Sequence, residues 1–406
     1  MKKFLAMILA TIMILGVFVG CSAKDAATDT QDIPATTTTE TTDTKDTAST
    51  SAEEMDEANK ADTTFGIEPL ANPTTIDLAY FSGAEHGLVF YIMDEMGWAE
   101  ELGISFNWSY FNAGPAMMEA SASWDVGTAG AAGAINGVVG YDVNVIGISQ
   151  YEKLIHMYVR PDSPIYAAGA GNGDAPDNVY GDAESLKGTT WLLPMGTTAQ
   201  QTLGLYLAYF GLTTDDVTMV NMDVGSALSA FRAGEGDGAV LWTKTDIACS
   251  EEGNIAICGC ADVPAVYATC LLASDHAMEE KYDAIVALWD LYFHTEDWMD
   301  EHREEMAQYY FDACAVEGID CSEESAKITA DLYVPLGYEG ALERMTTLVD
   351  DPQGLADRQL TGAEFDVLDT MDFLIACGNY SAQNREDVLS SGRINSSIAE
   401  AVAAKN

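Results

Sequence analysis

Positive charge is what this 406-residue chain has least of: 18 Lys and Arg stand against 65 Asp and Glu, for a formal net charge of −47. Binding nucleic-acid phosphates needs basic groups, so nucleic acid is excluded as a partner. Electrostatic adhesion to anionic lipid is disfavoured on the same ground. Histidine is scarce too, with five in all. None falls in an H-E-x-x-H pattern, so His294 and His302 read as solvated helix residues and no metal is expected. The chain has no G-x-S-x-G elbow and no Walker A loop. Paired carboxylates abound, but in so acidic a chain they carry no information. Gly169, Gly171 and Gly173 form a G-x-G-x-G run that does not lie between a strand and a helix, so the dinucleotide reading fails. Residues 167–182 read instead as a mobile surface loop. Neither a cofactor nor an enzymatic activity is expected.

Long apolar runs are missing beyond the N-terminus. Lys2 and Lys3 precede an apolar stretch over residues 4–19, too short and too terminal for a permanent span. FVGC at 18–21 resembles a lipobox, with Phe18 in place of the usual Leu, which would make Cys21 the lipidated first residue of the mature protein. The expected location is the extracytoplasmic face of the cell membrane. Residues 22–64, rich in Thr, Ser, Ala and Asp, read as a disordered linker, because such a composition cannot offset its ordering entropy. Seven cysteines remain, so complete internal pairing is impossible. Cys249 with Cys258 or Cys260, and Cys314 with Cys321, are the bridges the spacing allows; buried free thiols are the alternative.

The remaining length suffices for two lobes with their own cores. The organising stretch is 186–242, which reads strand, Gly-Thr turn, helix, strand, helix, strand. Pro194, Met195 and Gly196 break the first strand, and Thr197 or Thr198 can cap a helix whose stripe is Leu203, Leu207 and Phe210. Such a turn points backbone N–H groups and a helix dipole at one spot, an anion cradle that needs no basic side chain. An ordinary turn is the alternative reading. Residues 75–109 form a βαβ unit, so the sheet should be mostly parallel. A helix ending before Asp125 and another before Asp237 suggest two copies of one α/β half, with both acids in structural turns. Helices over 282–294 (Ile285, Leu288, Trp289, Tyr292) and 363–377 (Phe365, Leu368, Met371, Leu374) should pack on the first lobe.

The segment LKGTTWLLPMGTTAQ…GLTTDDVTMVNMDVGSALSAFRAGEGDGAVLW resembles the second lobe of the solute-binding proteins of ABC importers, within the aliphatic-sulfonate, taurine and nitrate group. There the order is LKGK, an apolar strand, G-[ST]-[ST]-A, then G-L-x-x-x-D-V and A-x-x-A-L-x-x-G-x-V-D-A-x-x-x-W. FNAGPAMMEA and WDVGTAGA are similar to that group's F-x-A-G-P-x-x-x-E-A and D-x-G-x-x-G segments. Residues 157–165 resemble the strand crossing between lobes, and 266–274 the return strand. The resemblance implies a two-lobed type II periplasmic-binding-protein-like α/β fold, each lobe a mostly parallel sheet flanked by helices. The parts are a lipoprotein signal (1–21), the linker (22–64), lobe one (65–160), lobe two (161–263) and lobe one again (264–406).

The function it implies is the lipid-anchored substrate-binding component of an ABC importer, monomeric, partnered by permease and ATPase subunits and closing on a small solute. The ligand residues it implies are Ser82, Gly83, Gly130 and Ala131 from lobe one. From lobe two it implies Gly196, Thr197, Thr198, Asp223, Trp242 and Thr243. A sulfonate, taurine-like or nitrate-like anion is the expected ligand, although the acidic field suits a neutral or cationic one better. Arg160 and Arg232 are the only arginines expected near the cleft, and Asp223 would recognise an amine. The other readings are a pyrimidine (thiamine-precursor) ligand, and the same fold as an extracellular sensor or adhesin. A related pyrimidine-precursor synthase is disfavoured by the export signal.

Overall fold

Two five-stranded sheets carry the fold, and both are wound the same way. The computed structural model describes residues 62–405 apart from Asn112, Pro352 and Gln353. The signal, Cys21 and all but the end of the linker lie outside the described residues. In chain order the first lobe contributes β1 (Thr74–Phe81), β2 (Ile104–Phe111), β3 (Val126–Gly130) and β4 (Val143–Tyr151). The second contributes β5 (Ile155–Val159), β6 (Thr190–Leu193), β7 (Thr218–Asn221), β8 (Gly238–Trp242) and β9 (Ile255–Gly259); β10 (Ala268–Ser274) then returns to the first. The sheet orders are β2-β1-β3-β10-β4 and β7-β6-β8-β5-β9. In each, four strands run parallel, and the strand arriving from the other lobe inserts between two of them, antiparallel to both.

The internal duplication extends to single hydrogen bonds. Asp125 donates its N–H to the Asp77 carbonyl at 2.7 Å and accepts from Asp77 N–H on Oδ2 at 2.7 Å. Asp237 donates to the Thr190 carbonyl at 2.7 Å and accepts from Thr190 N–H on Oδ2 at 2.7 Å. Both acids stitch the start of the third strand to the first, the structural role their spacing suggests.

The crossing between lobes lies earlier than expected. β4 ends at Tyr151 and β5, already in the second sheet, begins at Ile155, so residues 152–154 make the passage. The run from Met157 to Val159 is apolar because β5 is buried between β8 and β9, not because it crosses.

In lobe one, α1 (Glu85–Glu95), α2 (Gly114–Glu119) and α3 (Ala131–Gly140) follow β1, β2 and β3. In lobe two, α4 (Thr198–Ala208), α5 (Val224–Arg232) and α6 (Thr243–Glu251) follow β6, β7 and β8. Every one of these helices therefore starts at the carboxyl end of its strand. After β10 come α7 (Tyr282–Glu301), α8 (Arg303–Glu317), α9 (Glu323–Leu332), α10 (Gly337–Thr346), α11 (Gly362–Ala376), α12 (Ala382–Ser391) and α13 (Ser397–Ala403). Ile285, Leu288, Trp289 and Tyr292 of α7 and Leu368, Met371 and Leu374 of α11 join the lobe-one core; Phe365 stays half-buried. The same helices also brace lobe two. Ser325 of α9 donates to Glu251 of α6 at 3.3 Å, and Gln200 of α4 donates to Asn379 at 3.4 Å. Among the described residues no helix is long and apolar enough to cross a membrane.

Two local expectations change, and the open reading of the cysteines is decided. His294 is half-buried rather than freely solvated: its ring stacks between Phe65 (5.5 Å) and Tyr338 (4.5 Å), and His302 stacks on Trp298 at 4.6 Å. The 167–182 loop is tied down rather than mobile. Gly171 and Gly181 N–H groups bond the Val179 and Gly169 carbonyls at 2.9 Å each, and Val179 is fully buried. Cys249, Cys258, Cys260 and Cys314 are buried free thiols and Cys321 is a half-buried one, so neither of the bridges the spacing allows is formed.

Candidate functional site

Five helices begin around one cavity between the lobes, which holds about 540 Å³ of empty space, part of it open to solvent. From lobe one, Phe81, Ala84 and His86 line it at the β1–α1 turn, Gly114 and Pro115 at the start of α2, and Gly130, Ala132 and Gly133 at the start of α3. From lobe two come Thr197 and Thr198 at the start of α4 and Trp242 and Thr243 at the start of α6. Glu152 and Ile155 form the floor, where the chain crosses. The lobes approach closely: a Cβ on Gly130 would lie 3.7 Å from the Thr198 methyl group. Each helix presents the positive end of its dipole, so an anion would be met by backbone alone.

Of the residues expected to bind ligand, Gly130, Thr197, Thr198, Trp242 and Thr243 line this cavity. Ser82 and Gly83 give way to their neighbours Phe81 and Ala84. Their amides are engaged, Ser82 N–H with the Phe111 carbonyl at 2.8 Å and Gly83 N–H with Glu317 at 3.0 Å. Ala131 sits between two lining residues without lining the cavity itself. The Gly196 N–H is held by Gln200 at 2.8 Å. Asp223 does not line the cavity: it caps α5, accepting from Ser226 N–H at 3.0 Å and Ser226 Oγ at 2.6 Å. Those bonds hold its carboxyl below the usual range. The Thr197 hydroxyl donates to the Pro194 carbonyl at 2.7 Å and accepts from Ala199 N–H at 3.2 Å, so it fixes the helix start. Thr243 is one of two non-glycine residues, among those described, with positive φ (48°), and its N–H bonds the Leu154 carbonyl at 2.9 Å. Backbone strain of this kind concentrates at functional sites.

The acids of the floor escaped sequence reading. Thr269 donates to Glu152 Oε1 at 2.5 Å. Gln150 donates to Glu85 Oε1 at 2.9 Å and also bonds Glu152, so it joins the two carboxyls. Glu85 is 3% exposed, and its Oε2 has no hydrogen-bond partner among the described residues. Burial, then the charge of Glu85, pushes Glu152 up to about 8. Burial likewise raises Glu85. His86 shares a hydrogen bond of 2.8 Å with Thr128, and burial pushes it down to about 3, so its ring is neutral.

Among the described residues no arginine or lysine lines the cavity. Arg232 pairs with Glu252 on the surface. Arg160 donates to the Gly236, Phe231 and Glu235 carbonyls at 2.9, 2.9 and 2.8 Å and lies 4.3 Å over the Phe231 ring, closing the carboxyl end of α5. Arg160→Met should therefore cost lobe two about 2 kcal/mol in denaturant melts, from charged hydrogen bonds and stacking. Ligand affinity, read by calorimetry, should be unchanged.

The chain matches no family model. It is 30% identical over 190 residues to a putative ABC transporter periplasmic binding protein of Brachyspira hyodysenteriae, covering 46% of this chain and 54% of that protein. It is 23% identical over 187 residues to the taurine-binding periplasmic protein of Escherichia coli, covering 46% and 53%. The chain thus spans about half the length of the curated relatives it matches. Among solved structures, the alkanesulfonate-binding protein SsuA from Xanthomonas axonopodis pv. citri, bound to MOPS, superposes with a TM-score of 0.54 at 18% identity, covering 66% of this chain and 86% of that one. The fold is that of a periplasmic binding protein. In open α/β sheets the crevice outside the carboxyl ends of the strands is the usual place for a ligand, and here the five helix starts surround it.

Proposed function

We propose that this chain is the substrate-binding component of an ABC importer, held by a lipid on Cys21 at the extracytoplasmic face of the membrane, and that it captures a small amino-sulfonate such as taurine between its lobes. The observation that carries the ligand class is the division of the cavity into two chemistries. Helix starts from both lobes converge on it with no cation among the described lining residues, which suits a sulfonate. The floor offers Glu152 backed by Glu85, which suits an ammonium group. A ligand with both ends charged satisfies both, and the overall negative field then opposes it less than it would a pure anion. The sequence likeness to ABC-transporter binding proteins supports the transport role, with permease and ATPase subunits as partners.

The test is a thermal-shift series on the full chain with taurine, propanesulfonate, ethylamine, nitrate and a pyrimidine. Taurine at about 100 times its dissociation constant should add roughly 2.7 kcal/mol of stability, and the two single-ended compounds clearly less. A response to nitrate or a pyrimidine with none to taurine would overturn the ligand class. No response to any compound would overturn the capture role.

A further inference from the structure

The edge of the first sheet is aromatic. β2 is an edge strand, and Phe106, Trp108 and Tyr110 alternate along it, so the three share one face. Tyr110 stands beside Tyr80 of β1 in the ladder. The helices α1 and α8 cover this face only in part: Tyr110 is 52% exposed and Val316 of α8 is 67% exposed. Beneath them lies a pocket with about 510 Å³ of empty space, part of it open to solvent, that shares no lining residue with the cavity between the lobes. Four rings line it, those of Tyr80, Tyr91, Trp108 and Tyr110. Tyr80 meets Trp108 at 5.2 Å and 65°, and Tyr110 at 5.5 Å and 67°. Rings set at such steep angles show π faces in more than one direction. Asp94 and Glu95 of α1 and Glu317 of α8 line the same pocket, and no arginine or lysine among the described residues does. Gly83 N–H holds Glu317 Oε2 at 3.0 Å, and Lys244 of α6 acts on Glu317 from outside the pocket. Ala313 and Val316 complete the wall. In a chain with 65 acids the carboxylates alone would say nothing; what sets this place apart is that they meet a cluster of rings.

We propose that this pocket is a second ligand site, which takes a small alkylated ammonium ion such as choline, with its methyl groups against Tyr80, Trp108 and Tyr110 and its charge balanced by Asp94 and Glu95 at the exposed side. The negative face of an aromatic ring and a carboxylate both attract a cation, and together they repel an anion. The rings and the apolar wall select among cations. A metal ion or a bare ammonium would lose strongly held water to enter and find few oxygens in exchange; among the described residues no cluster suited to a metal is present. An alkylated ammonium spreads its charge over a methyl surface, which apolar walls receive at little cost. Tyr80, only 2% exposed, is fixed as the back of the pocket, and Tyr110 is the ring that solvent reaches. This site does not depend on what the cavity between the lobes binds.

The experiment titrates the full chain by calorimetry with choline and with its uncharged isostere 3,3-dimethylbutan-1-ol. Choline should bind, and the isostere about tenfold more weakly or less, since it keeps the shape and loses the charge. Tyr110→Ala should weaken choline by about threefold or more, and Tyr110→Phe should restore the affinity because it restores the π face. Tyr110 is half exposed, so neither variant should disturb the fold, which a melt checks. Asp94→Asn with Glu95→Gln should weaken choline and leave the isostere unchanged. Saturating taurine and Glu152→Gln should both leave choline binding as it was. Absence of choline binding, equal binding of the isostere, or an unchanged affinity in Tyr110→Ala would overturn the proposal. Choline binding lost in Glu152→Gln and kept in Tyr110→Ala would place the cation in the cavity between the lobes instead, and overturn it too.

Discussion

Glu152→Gln is expected to weaken taurine binding by about 10- to 100-fold, the range for losing a charge-assisted hydrogen bond of roughly 1.5–3 kcal/mol. It should also abolish a proton release that accompanies binding. Glu152 is raised to about 8 in the empty cavity, so near pH 6.5 it holds its proton. An ammonium group beside it favours the carboxylate, so the proton leaves as the ligand arrives. Calorimetry in two buffers of different ionisation heat reads that release directly, and equal apparent enthalpies in the wild-type chain would sink the assignment. The same substitution should act on stability in a defined pH window. A carboxyl whose folded-state value lies above its unfolded one contributes stability that is full below the unfolded value and lost as pH rises through the folded value. Glu152 therefore costs stability between about 4.5 and 8. Glu296, fully buried and bonded to Ser149, is raised by burial and acts in the same direction. His86 has the opposite sign: lowered to about 3, its contribution is present above its ordinary value of 6.5 and is lost as pH falls. The melting temperature should thus decline from pH 6 to pH 8.5, and Glu152→Gln should make that decline shallower.

The sequence carried the scaffold better than the chemistry, for reasons visible in single residues. A cap at Thr197 or Thr198 was legible because a short hydroxyl after a Pro-Met-Gly break has few other uses, and the structure assigns it to Thr197. Asp125 and Asp237 were legible as turn acids because the chain repeats them in equivalent places. Asp223 was misread because a strand-end acid that caps the next helix and one that faces a ligand look alike until the Ser226 bonds are seen. Glu85 and Glu152 were invisible among 65 acids. Their meaning comes from burial and from Gln150 between them, and that requires β4, α1 and β10 to be brought together. Gly114 and Pro115 lay inside a segment whose resemblance was noted, yet their place in the wall depends on α2 and α3 packing so tightly that a Gly114 Cβ would lie 3.1 Å from the Gly133 Cα.

Trp289→Ala should do the reverse of Glu152→Gln: a large loss of stability with little change in affinity. Trp289 is fully buried on α7, donates its indole N–H to the Ile146 carbonyl at 2.8 Å, and packs 4.4 Å from Phe293 and 6.0 Å from Tyr338. β4 is shaped to receive it. At Gly147 an added Cβ would lie 2.8 Å from Phe293 and 3.1 Å from the Trp289 nitrogen, so the helix rests directly on strand backbone. Removing the indole leaves a cavity and an unpaired buried carbonyl together, an expected cost of about 3–5 kcal/mol. For a lobe of this size that is a fall of roughly 10 °C in melting temperature. Trp289 does not line the ligand cavity, and the link between α7 and the site is Tyr292, whose hydroxyl donates to the His86 carbonyl at 3.0 Å. Taurine affinity measured well below the melt should therefore stay within about threefold of wild type, since distant sites without shared partners act nearly independently. A full loss of binding at a temperature where the variant is still folded would mean that α7 positions the site through Tyr292 and His86, and that the C-terminal helices act on the cleft as well as on the core.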